Sequence, residues 1–294
     1  MKLTITQLIS SGKKLVSDGA WGTFLQAKGL KPGECPELWN IEHTNDVLDI
    51  ARSYIAAGAD MIETNSFGGN RFKLANFGLE SRATEINRKA AEISRTAAGP
   101  DKYVIGSIGP TGKILMMGDV TEEELYDAFK EQSVALYQGG CDALVIETMT
   151  DLDEARIAVK AAKENTPCEV ICTMTFDRTP AGEFRSMMGV SPTDMVNTLV
   201  DAGANIIGAN CGNGVEGMVG ITNEIRSVNK TIPVLIHANA GMPHYQDGKT
   251  VFPESPEMMA GFVSELLLAG ANVIGGCCGT TPEHIKHIAG VVKK

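Results

Sequence analysis

The segment AGADMIE at residues 57–63 indicates the fold, because weaker copies of it recur along the chain. The copies read GGCDALVIE at residues 139–147, AGANIIG at 202–208 and AGANVIG at 269–275. In each copy a helical pattern ends at a glycine, which can adopt the left-handed conformation that terminates helices, and an apolar run follows at once. Such short helix-to-strand connections are typical of parallel sheets, whose buried strands read as continuous apolar runs.

Completing this pattern along the chain predicts eight alternating strands and helices. The strands are predicted at residues 15–18, 61–67, 103–108, 143–148, 170–176, 206–211, 234–239 and 273–278. The helices are predicted near residues 44–57, 82–98, 121–139, 151–165, 192–202, 216–229, 256–269 and 282–292. Eight βα units predict an α/β protein, a single TIM (β/α)8 barrel that occupies residues 1–294. The alternative is an open doubly wound sheet, which commonly has fewer strands.

The composition excludes several classes of partner. The chain carries 26 Lys and Arg against 36 Asp and Glu, a net charge of −10, and has no basic cluster, which argues against nucleic acid or an anionic membrane as a partner. Its N-terminus lacks the apolar stretch of a signal peptide, and its longest apolar run, residues 266–278, is too short to span a bilayer. We therefore expect a cytoplasmic protein.

Polar side chains collect where the predicted strands end. They are Asp18, Glu63, Asn65, Glu147, Thr175, Cys211, Asn239, Cys277 and Cys278. A TIM barrel builds its active site at the C-terminal ends of its strands, so we look for function there.

Three cysteines form a candidate metal site. Cys211 ends one predicted strand, while Cys277 and Cys278 end another between glycines that permit the backbone to bend. Three thiolates suit zinc and leave its fourth position open, as in a catalytic site, although a disulfide between the adjacent pair is an alternative. We interpret the thiols of apolar segments as core residues and assign Cys35 no role; the core thiols are Cys141, Cys168 and Cys172.

A glycine pattern, GNGVEG at residues 212–217, matches the dinucleotide fingerprint G-x-G-x-x-G. The next strand offers no acidic residue at its end to bind a ribose. We therefore interpret these glycines as allowing the backbone to approach the metal site.

The segment GGCCGTTPEHI at residues 275–285 resembles the signature of the homocysteine S-methyltransferase family, and especially the homocysteine-binding module of cobalamin-dependent methionine synthase. The resemblance covers nearly the whole chain. The further matching blocks are DGAWGT at 18–23, ETNSFG at 63–68, IGPTG at 108–112, ETMTD at 147–151, ANC at 209–211 and NAG at 239–241.

The resemblance implies a TIM barrel with catalytic zinc bound by the thiolates of Cys211, Cys277 and Cys278. It also implies that Asn239 is a displaceable fourth ligand.

It further implies how homocysteine is bound. Asp18 and Glu147 would hold the α-amino group, and backbone groups around Gly19 and Ala20 would receive the carboxylate.

The implied activity is transfer of a methyl group to the homocysteine thiol, which yields methionine. Because the sequence stops at Lys294, just past the last predicted helix, we expect methylcobalamin on a separate corrinoid protein as the donor. Relatives that use S-methylmethionine or S-adenosylmethionine are the alternative, but they usually carry Arg where this chain has Gly279. Betaine-using relatives carry a tyrosine at the position of Gly68.

Two more hypotheses remain: a corrinoid-dependent methyltransferase with another substrate, and a non-catalytic barrel that senses zinc or thiols. Retention of Asp18 and Glu147 argues against a sensor. His237 and His244 flank Asn239 without an assigned role, and the insert at residues 241–253 is the expected partner contact.

Overall fold

In the computed structural model, which describes residues 2–246 and 249–294, twelve strands and thirteen helices follow one another. The strands are β1 (Leu15–Val16), β2 (Met61–Glu63), β3 (Tyr103–Ile108), β4 (Ala143–Met149), β5 (Glu169–Met174), β6 (Asp177–Arg178), β7 (Phe184–Arg185), β8 (Ile206–Asn210), β9 (Val234–Ala238), β10 (His244–Gln246), β11 (Lys249–Val251) and β12 (Val273–Gly276).

The helices alternate with the strands of the central sheet and surround it. They are α1 (Ile5–Ser10), α2 (Gly22–Lys28), α3 (Trp39–Glu42), α4 (Thr44–Ala56), α5 (Arg71–Ala75), α6 (Ala83–Ala98), α7 (Glu122–Gln138), α8 (Leu152–Asn165), α9 (Pro192–Asp201), α10 (Val215–Val228), α11 (Pro256–Gly261), α12 (Val263–Ala269) and α13 (Pro282–Val292). Short 3-10 helices span Pro36–Leu38, Glu80–Arg82 and Leu115–Met117.

Eight parallel strands form the central sheet, in the order β1-β12-β9-β8-β5-β4-β3-β2. Its two edges are joined by three hydrogen bonds, which we call the seam. The N–H of Asp60 donates to Val16 O at 2.7 Å, and the N–H of Val16 donates to Asp60 Oδ2 at 3.0 Å. The N–H of Glu63 donates to Asp18 Oδ2 at 2.9 Å. The seam brings β2 back to β1, and the predicted TIM barrel is confirmed.

The sequence repeat has a structural cause. In each copy an Asp or Asn precedes the apolar run; its N–H donates to the carbonyl of a valine in the neighbouring strand, and its side-chain oxygen accepts the N–H of the same valine. The pairs are Asp60 with Val16, Asp142 with Val104, Asn205 with Val170 and Asn272 with Val234, with all eight distances between 2.7 and 3.0 Å. The repeat thus marks the points where neighbouring strands start to pair.

The barrel interior is filled with apolar side chains at its N-terminal end. Ile5 of α1 packs into this cluster, and the Glu169 carboxylate fastens the helix by accepting the N–H groups of Ile5 at 2.6 Å and Thr6 at 3.1 Å. We call α1 and this cluster the plug. Its strand residues are Leu15, Met61, Tyr103, Ile105, Ala143, Val145, Ile171, Ile206, Leu235 and Val273.

Several predicted elements differ from the observed ones. Most of the predicted strands end too late, because the polar residues that follow them lie in loops; the helix predicted at 256–269 is two helices, which meet at Phe262. The sequence did not predict α1, α2, α3, α5 or the antiparallel hairpins β6–β7 and β10–β11. Asp247 and Gly248, within the insert predicted to contact a partner, lie outside the described residues. Among the helices described, none combines the length and the apolar character that crossing a membrane requires.

Candidate active site and metal centre

A cavity of about 250 Å³ opens among the C-terminal ends of the barrel strands. Its walls combine backbone of the loop after β1 with acidic, hydroxyl and thiol side chains from the ends of other strands. Among the lining residues are Gly19, Ala20, Glu37, Glu63, Ser107, Glu147, Thr148, Cys211, His237, Cys277 and Cys278. The cavity therefore lies where the barrel fold predicts an active site.

The three predicted ligand cysteines come together at this cavity. The sulfur atoms of Cys211, Cys277 and Cys278 all lie within 4.8 Å of one another. Cys211 directly follows β8 with a φ of 58°, and the adjacent pair follows β12 in a turn that Gly279 completes with a φ of 81°. Because both segments leave the extended conformation, the alternation of side chains along a strand is broken and all three sulfurs reach one point.

Proximity of the thiols changes their acidity. Hydrogen bonds from Cys277 and Cys278 hold the pKa of Cys211 well below its usual range, while the pKa of Cys277 is raised by its hydrogen bonds to the other two sulfurs. One sulfur of the group thus readily becomes a thiolate that its neighbours stabilise. Such a group of soft donors is suited to a thiophilic cation.

Asn239, the predicted fourth ligand, is buried in the loop after β9. Its backbone N–H donates to Asn213 O at 3.0 Å, which fixes this loop beside the one that follows Cys211. Its Oδ1 atom is buried and has no hydrogen-bond partner among the described residues. A buried amide oxygen without a partner is costly. The Asn239 side chain also reaches Cys211, since its hydrogen bond helps to lower the pKa of that thiol.

Glu147 near the end of β4 is held from two sides. Ser107 Oγ donates to its Oε1, and Asn210 Nδ2 donates to its Oε2 at 3.3 Å. Burial raises the pKa of Glu147, and the nearby charge of Glu63 raises it further. The carboxyl group is therefore oriented in the cavity wall but lacks a cation among the described residues.

Asp18 is placed differently from Glu147, because it is buried and is not among the described residues that line the cavity. Its Oδ1 accepts a hydrogen bond from Ser17 Oγ at 3.1 Å, and its Oδ2 accepts bonds from Trp21 Nε1 and the N–H of Glu63, both at 2.9 Å. Burial raises the pKa of Asp18, although its interaction with His237 and these bonds oppose the rise.

Gly19 and Ala20, the predicted carboxylate site, form part of the cavity wall. The N–H of Ala20 donates to Thr280 Oγ1 at 3.0 Å, and Tyr54 Oη donates to Ala20 O at 2.7 Å. A Cβ on Gly19 would lie 2.7 Å from Thr280 Oγ1, so only glycine fits against this neighbour. Close packing thus presents the backbone itself to the cavity.

Three residues of the cavity wall have no role predicted from the sequence: Glu37, Glu63 and His237. Glu63 is one of the carboxylates at the ends of predicted strands, and this position is the sequence signal that points to it. Its Oε1 lies 3.4 Å from Nδ1 of the buried His237. Burial lowers the pKa of His237, which keeps the imidazole neutral more readily.

The other cysteines are not part of this cluster of three thiols. Cys141, Cys168 and Cys172 are buried, and burial raises the pKa of all three thiols. Cys35 Sγ donates to Glu37 Oε2 at 3.4 Å.

The glycine pattern at residues 212–217 serves close packing. A Cβ on Gly212 would lie 2.5 Å from Phe176 O, and one on Gly214 would lie 2.4 Å from Glu254 Oε1.

Comparison with known proteins identifies relatives of this chain. It is 33% identical over 308 residues to the methionine synthase of Mycobacterium tuberculosis (strain ATCC 25618 / H37Rv), an alignment that covers 97% of this chain and 25% of that protein. It is 32% identical over 304 residues to the methionine synthase of Mycobacterium leprae (strain TN), an alignment that covers 95% of this chain and 24% of that protein. The chain thus spans about a quarter of the length of the curated relatives it matches.

The fold is similar to that of the homocysteine methyltransferase MmuM from Escherichia coli in its metallated form, with a TM-score of 0.78, 22% sequence identity, and coverage of 97% of this chain and 98% of that one. The family model of the homocysteine S-methyltransferases matches residues 15–292. The blocks on which the resemblance rests lie in the matched region. This chain therefore belongs to the homocysteine S-methyltransferase family.

Proposed function

We propose that this chain, acting as one domain over residues 1–294, is a zinc-dependent thiol S-methyltransferase. It transfers a methyl group from methylcobalamin, carried by a separate corrinoid protein, to homocysteine and yields methionine. The observation that carries this proposal is the convergence of three thiols within 4.8 Å at a cavity of about 250 Å³ whose wall also holds acidic side chains. The curated relatives named methionine synthase support the same product.

The donor set fits zinc. Cys211, Cys277 and Cys278 would bind the ion as thiolates, the ligand type that suits zinc, and the unpartnered Oδ1 of Asn239 would supply a weak fourth ligand. When bound, Zn²⁺ would act as a Lewis acid that favours the thiolate form of an acceptor thiol. Three cysteinates would give this part of the cavity a negative charge, which would keep a neighbouring sulfur electron-rich and nucleophilic.

The cavity wall would orient the amino-acid part of homocysteine. Glu147, fixed by Ser107 and Asn210, and Asp18, fixed by Trp21 and the N–H of Glu63, would hold the substrate ammonium with their carboxylates. Backbone of Gly19 and Ala20 would receive the substrate carboxylate, with Ala20 sharing its N–H between Thr280 and the substrate. Together these contacts would direct the substrate thiol toward the cysteines.

The turn after Cys278 supports a corrinoid donor over S-methylmethionine or S-adenosylmethionine. A Cβ on Gly279 would lie 2.1 Å from Cγ of Phe252, so the arginine of those relatives does not fit against this ring. Methionines of the loops that follow β3, β5 and β9 expose an apolar rim suited to contact with a partner protein. They are Met116, Met117, Met187 and Met242.

The test is methyl transfer to homocysteine with four donors in parallel: methylcobalamin, S-methylmethionine, S-adenosylmethionine and betaine. We expect methionine from methylcobalamin and much less from the others. A preference for a sulfonium donor would overturn the corrinoid assignment and leave the acceptor intact.

Zinc dependence is tested by Cys277→Ala. We expect this variant to lose both stoichiometric zinc, measured by metal analysis, and methyl transfer. The matched control is Cys172→Ala, which removes a thiol from the core away from the metal centre and should retain zinc. Full activity of a zinc-free Cys277→Ala protein would refute the proposal.

A further inference from the structure

Thr280 is a buried residue whose hydroxyl joins two loops of the cavity wall. It is 2% exposed and follows the adjacent cysteines by two residues. Thr280 Oγ1 donates to Cys277 O at 2.7 Å and accepts the N–H of Ala20 at 3.0 Å. A hydroxyl donates a single proton, so the first bond fixes its orientation and leaves an oxygen lone pair for the second. One side chain therefore connects the loop that carries a predicted zinc ligand with the loop that would receive the substrate carboxylate.

The hydroxyl of Thr280 is closely enclosed between these loops. A Cβ on Gly19 would lie 2.7 Å from Thr280 Oγ1, and a Cβ on Gly276 would overlap the same atom. The pairing of β1 with β12 extends as far as the bond from the N–H of Gly276 to Asp18 O, at 2.8 Å. Thr280 continues the connection beyond the ends of these strands, where both loops line the cavity.

Tyr54 of α4 holds the same backbone a second time. Its Oη donates to Ala20 O at 2.7 Å, with Thr280 O as a weaker second acceptor at 3.4 Å. Tyr54 is fully buried, where an unpaired hydroxyl would be costly. Both backbone polar groups of Ala20 are thus bonded to side chains from other parts of the chain, so the position of Ala20 relative to Cys277 is set before any ligand binds.

The distance between these two anchors bears on the length of the acceptor. In the proposed reaction the amino-acid end of the acceptor lies against Gly19 and Ala20, while its sulfur is directed toward Cys277 and the other two thiols. Homocysteine has two methylene groups between its α-carbon and its sulfur, whereas cysteine has one. A wall held at a fixed distance from the cysteines favours one chain length, and a wall that can shift adapts to both.

We propose that Thr280 is a positioning residue that sets the selectivity for homocysteine over cysteine, by holding the backbone of Ala20 at a fixed distance from Cys277. Thr280 acts through these two residues and is not among the described residues that line the cavity. This inference rests on the proposed function, because it takes homocysteine to be the acceptor and zinc to be bound by the three cysteines.

The test measures binding of homocysteine and of cysteine to the zinc-loaded protein by calorimetry, so no methyl donor is needed. Wild-type protein should bind homocysteine about 10- to 200-fold more tightly, the usual effect of one methylene group in a fitted pocket. Thr280→Val keeps the shape of the side chain but leaves the N–H of Ala20 and the carbonyl of Cys277 without this partner. We expect the preference to fall about five- to tenfold in this variant, with stoichiometric zinc retained in metal analysis.

Three further variants separate the hydroxyl of Thr280 from its surroundings. Thr280→Ser keeps the hydroxyl and should restore most of the preference lost in Thr280→Val. Tyr54→Phe removes the bond to Ala20 O but leaves the turn that carries the cysteines unchanged, so a smaller loss is expected. Thr222→Val is the matched control, because Thr222 is fully buried in α10 and bonds only to Met218 O, at 2.7 Å; it should leave the preference unchanged.

The outcomes distinguish this inference from the proposed function. Unchanged preference in Thr280→Val, no recovery in Thr280→Ser, or equal binding of both thiols by wild-type protein would overturn the inference and leave the proposed function intact. If wild-type protein binds neither thiol or prefers cysteine, the proposed function fails and the inference with it. If Thr280→Val does not fold or loses zinc, Tyr54→Phe decides by the same ratio: a reduced preference supports the inference, and a wild-type preference overturns it.

Discussion

Asn210 connects the two halves of the candidate site through a single side chain. It is fully buried at the end of β8, and its Nδ2 donates to Glu147 Oε2 at 3.3 Å, to Thr148 Oγ1 at 2.7 Å and to Cys277 Sγ at 3.9 Å. Its Oδ1 accepts bonds from the N–H of Thr148 and from Thr173 Oγ1, both at 2.7 Å. The amide thus fixes the Glu147 carboxylate relative to the sulfur of Cys277, a predicted metal ligand.

We predict that Asn210→Asp raises the KM for homocysteine about tenfold or more. The new carboxylate keeps both bonds to Oδ1 but replaces the donors by an acceptor next to Glu147, and each lost bond of this kind costs about 1–3 kcal/mol. Steady-state kinetics measures the effect. Thr173→Val, which removes one bond to Oδ1 only, is the control and should change KM far less; an unaltered KM in Asn210→Asp would contradict this role.

For single residues, the sequence reveals unusual functional groups more readily than it reveals the direction in which a side chain points. Cys211, Cys277 and Cys278 could be singled out because thiols at strand ends are uncommon and suit a metal. Asn210 could not, because a residue next to Cys211 on a regular strand would face the other way. The φ of 58° at Cys211 breaks that alternation, and no residue pattern in the sequence predicts this backbone conformation.

At the scale of elements, the turn from β12 to α13 sets the position of the adjacent cysteines. Thr280 Oγ1 donates to Cys277 O at 2.7 Å, and the N–H of Ala240 donates to Cys278 O at 3.0 Å. Gly279 takes a left-handed conformation beneath the ring of Phe252. The turn therefore depends on a residue without a side chain.

We predict that Gly279→Ala lowers the melting temperature and weakens zinc binding. The left-handed conformation costs an alanine about 1–2 kcal/mol, and overlap with the ring of Phe252 adds to it; each kcal/mol lowers Tm by about 2–4 °C in a chain of this size. Gly182→Ala is the matched control, because Gly182 has a φ of 86° and no atom near its Cβ position. Equal losses of Tm in the two variants, measured by calorimetry, would show that the ring contact contributes nothing.

At the scale of the whole molecule, closure of the barrel depends on side chains as well as backbone. Asp60 accepts the N–H of Val16 and also binds the ammonium groups of Lys293 at 2.7 Å and Lys102 at 3.1 Å. Burial alone would raise the pKa of Asp60, but the bonds from Lys293 and Val16 outweigh it and bring the pKa below its usual value.

This shift gives a pH dependence with a defined sign. Since the pKa of Asp60 is lower in the folded chain, its stabilisation is fully present above the unfolded pKa of about 3.9 and is lost as pH falls through the folded value. We predict that the Asp60→Asn variant unfolds at a temperature several degrees below that of wild type at neutral pH. This difference in unfolding temperature should narrow below about pH 4. Thermal unfolding across this range measures it.

Asp101→Asn is the control, because Asp101 is an exposed acid at the same end of the barrel and should show no such gap. A gap for Asp60→Asn that stays constant with pH would contradict the ionic origin of the effect.

The barrel itself could be predicted because one local interaction repeats. Asp60, Asp142, Asn205 and Asn272 each start a strand pairing in the same way, so the same letters recur along the chain. Elements that occur once leave no such pattern: α1 and the hairpin β6–β7 have no counterpart elsewhere in the sequence. Their positions depend on tertiary contacts such as those of Glu169 with α1.

The plug also bears on the order of events in the proposed reaction. Because α1 and the apolar cluster fill the barrel below the cavity, the proposed acceptor and donor would both approach the cysteines through the cavity mouth. A corrinoid protein seated on the methionine rim would cover that mouth. Homocysteine would then enter before the donor docks, and methionine would leave only after the donor departs, so turnover would follow a compulsory sequence with the small substrate first.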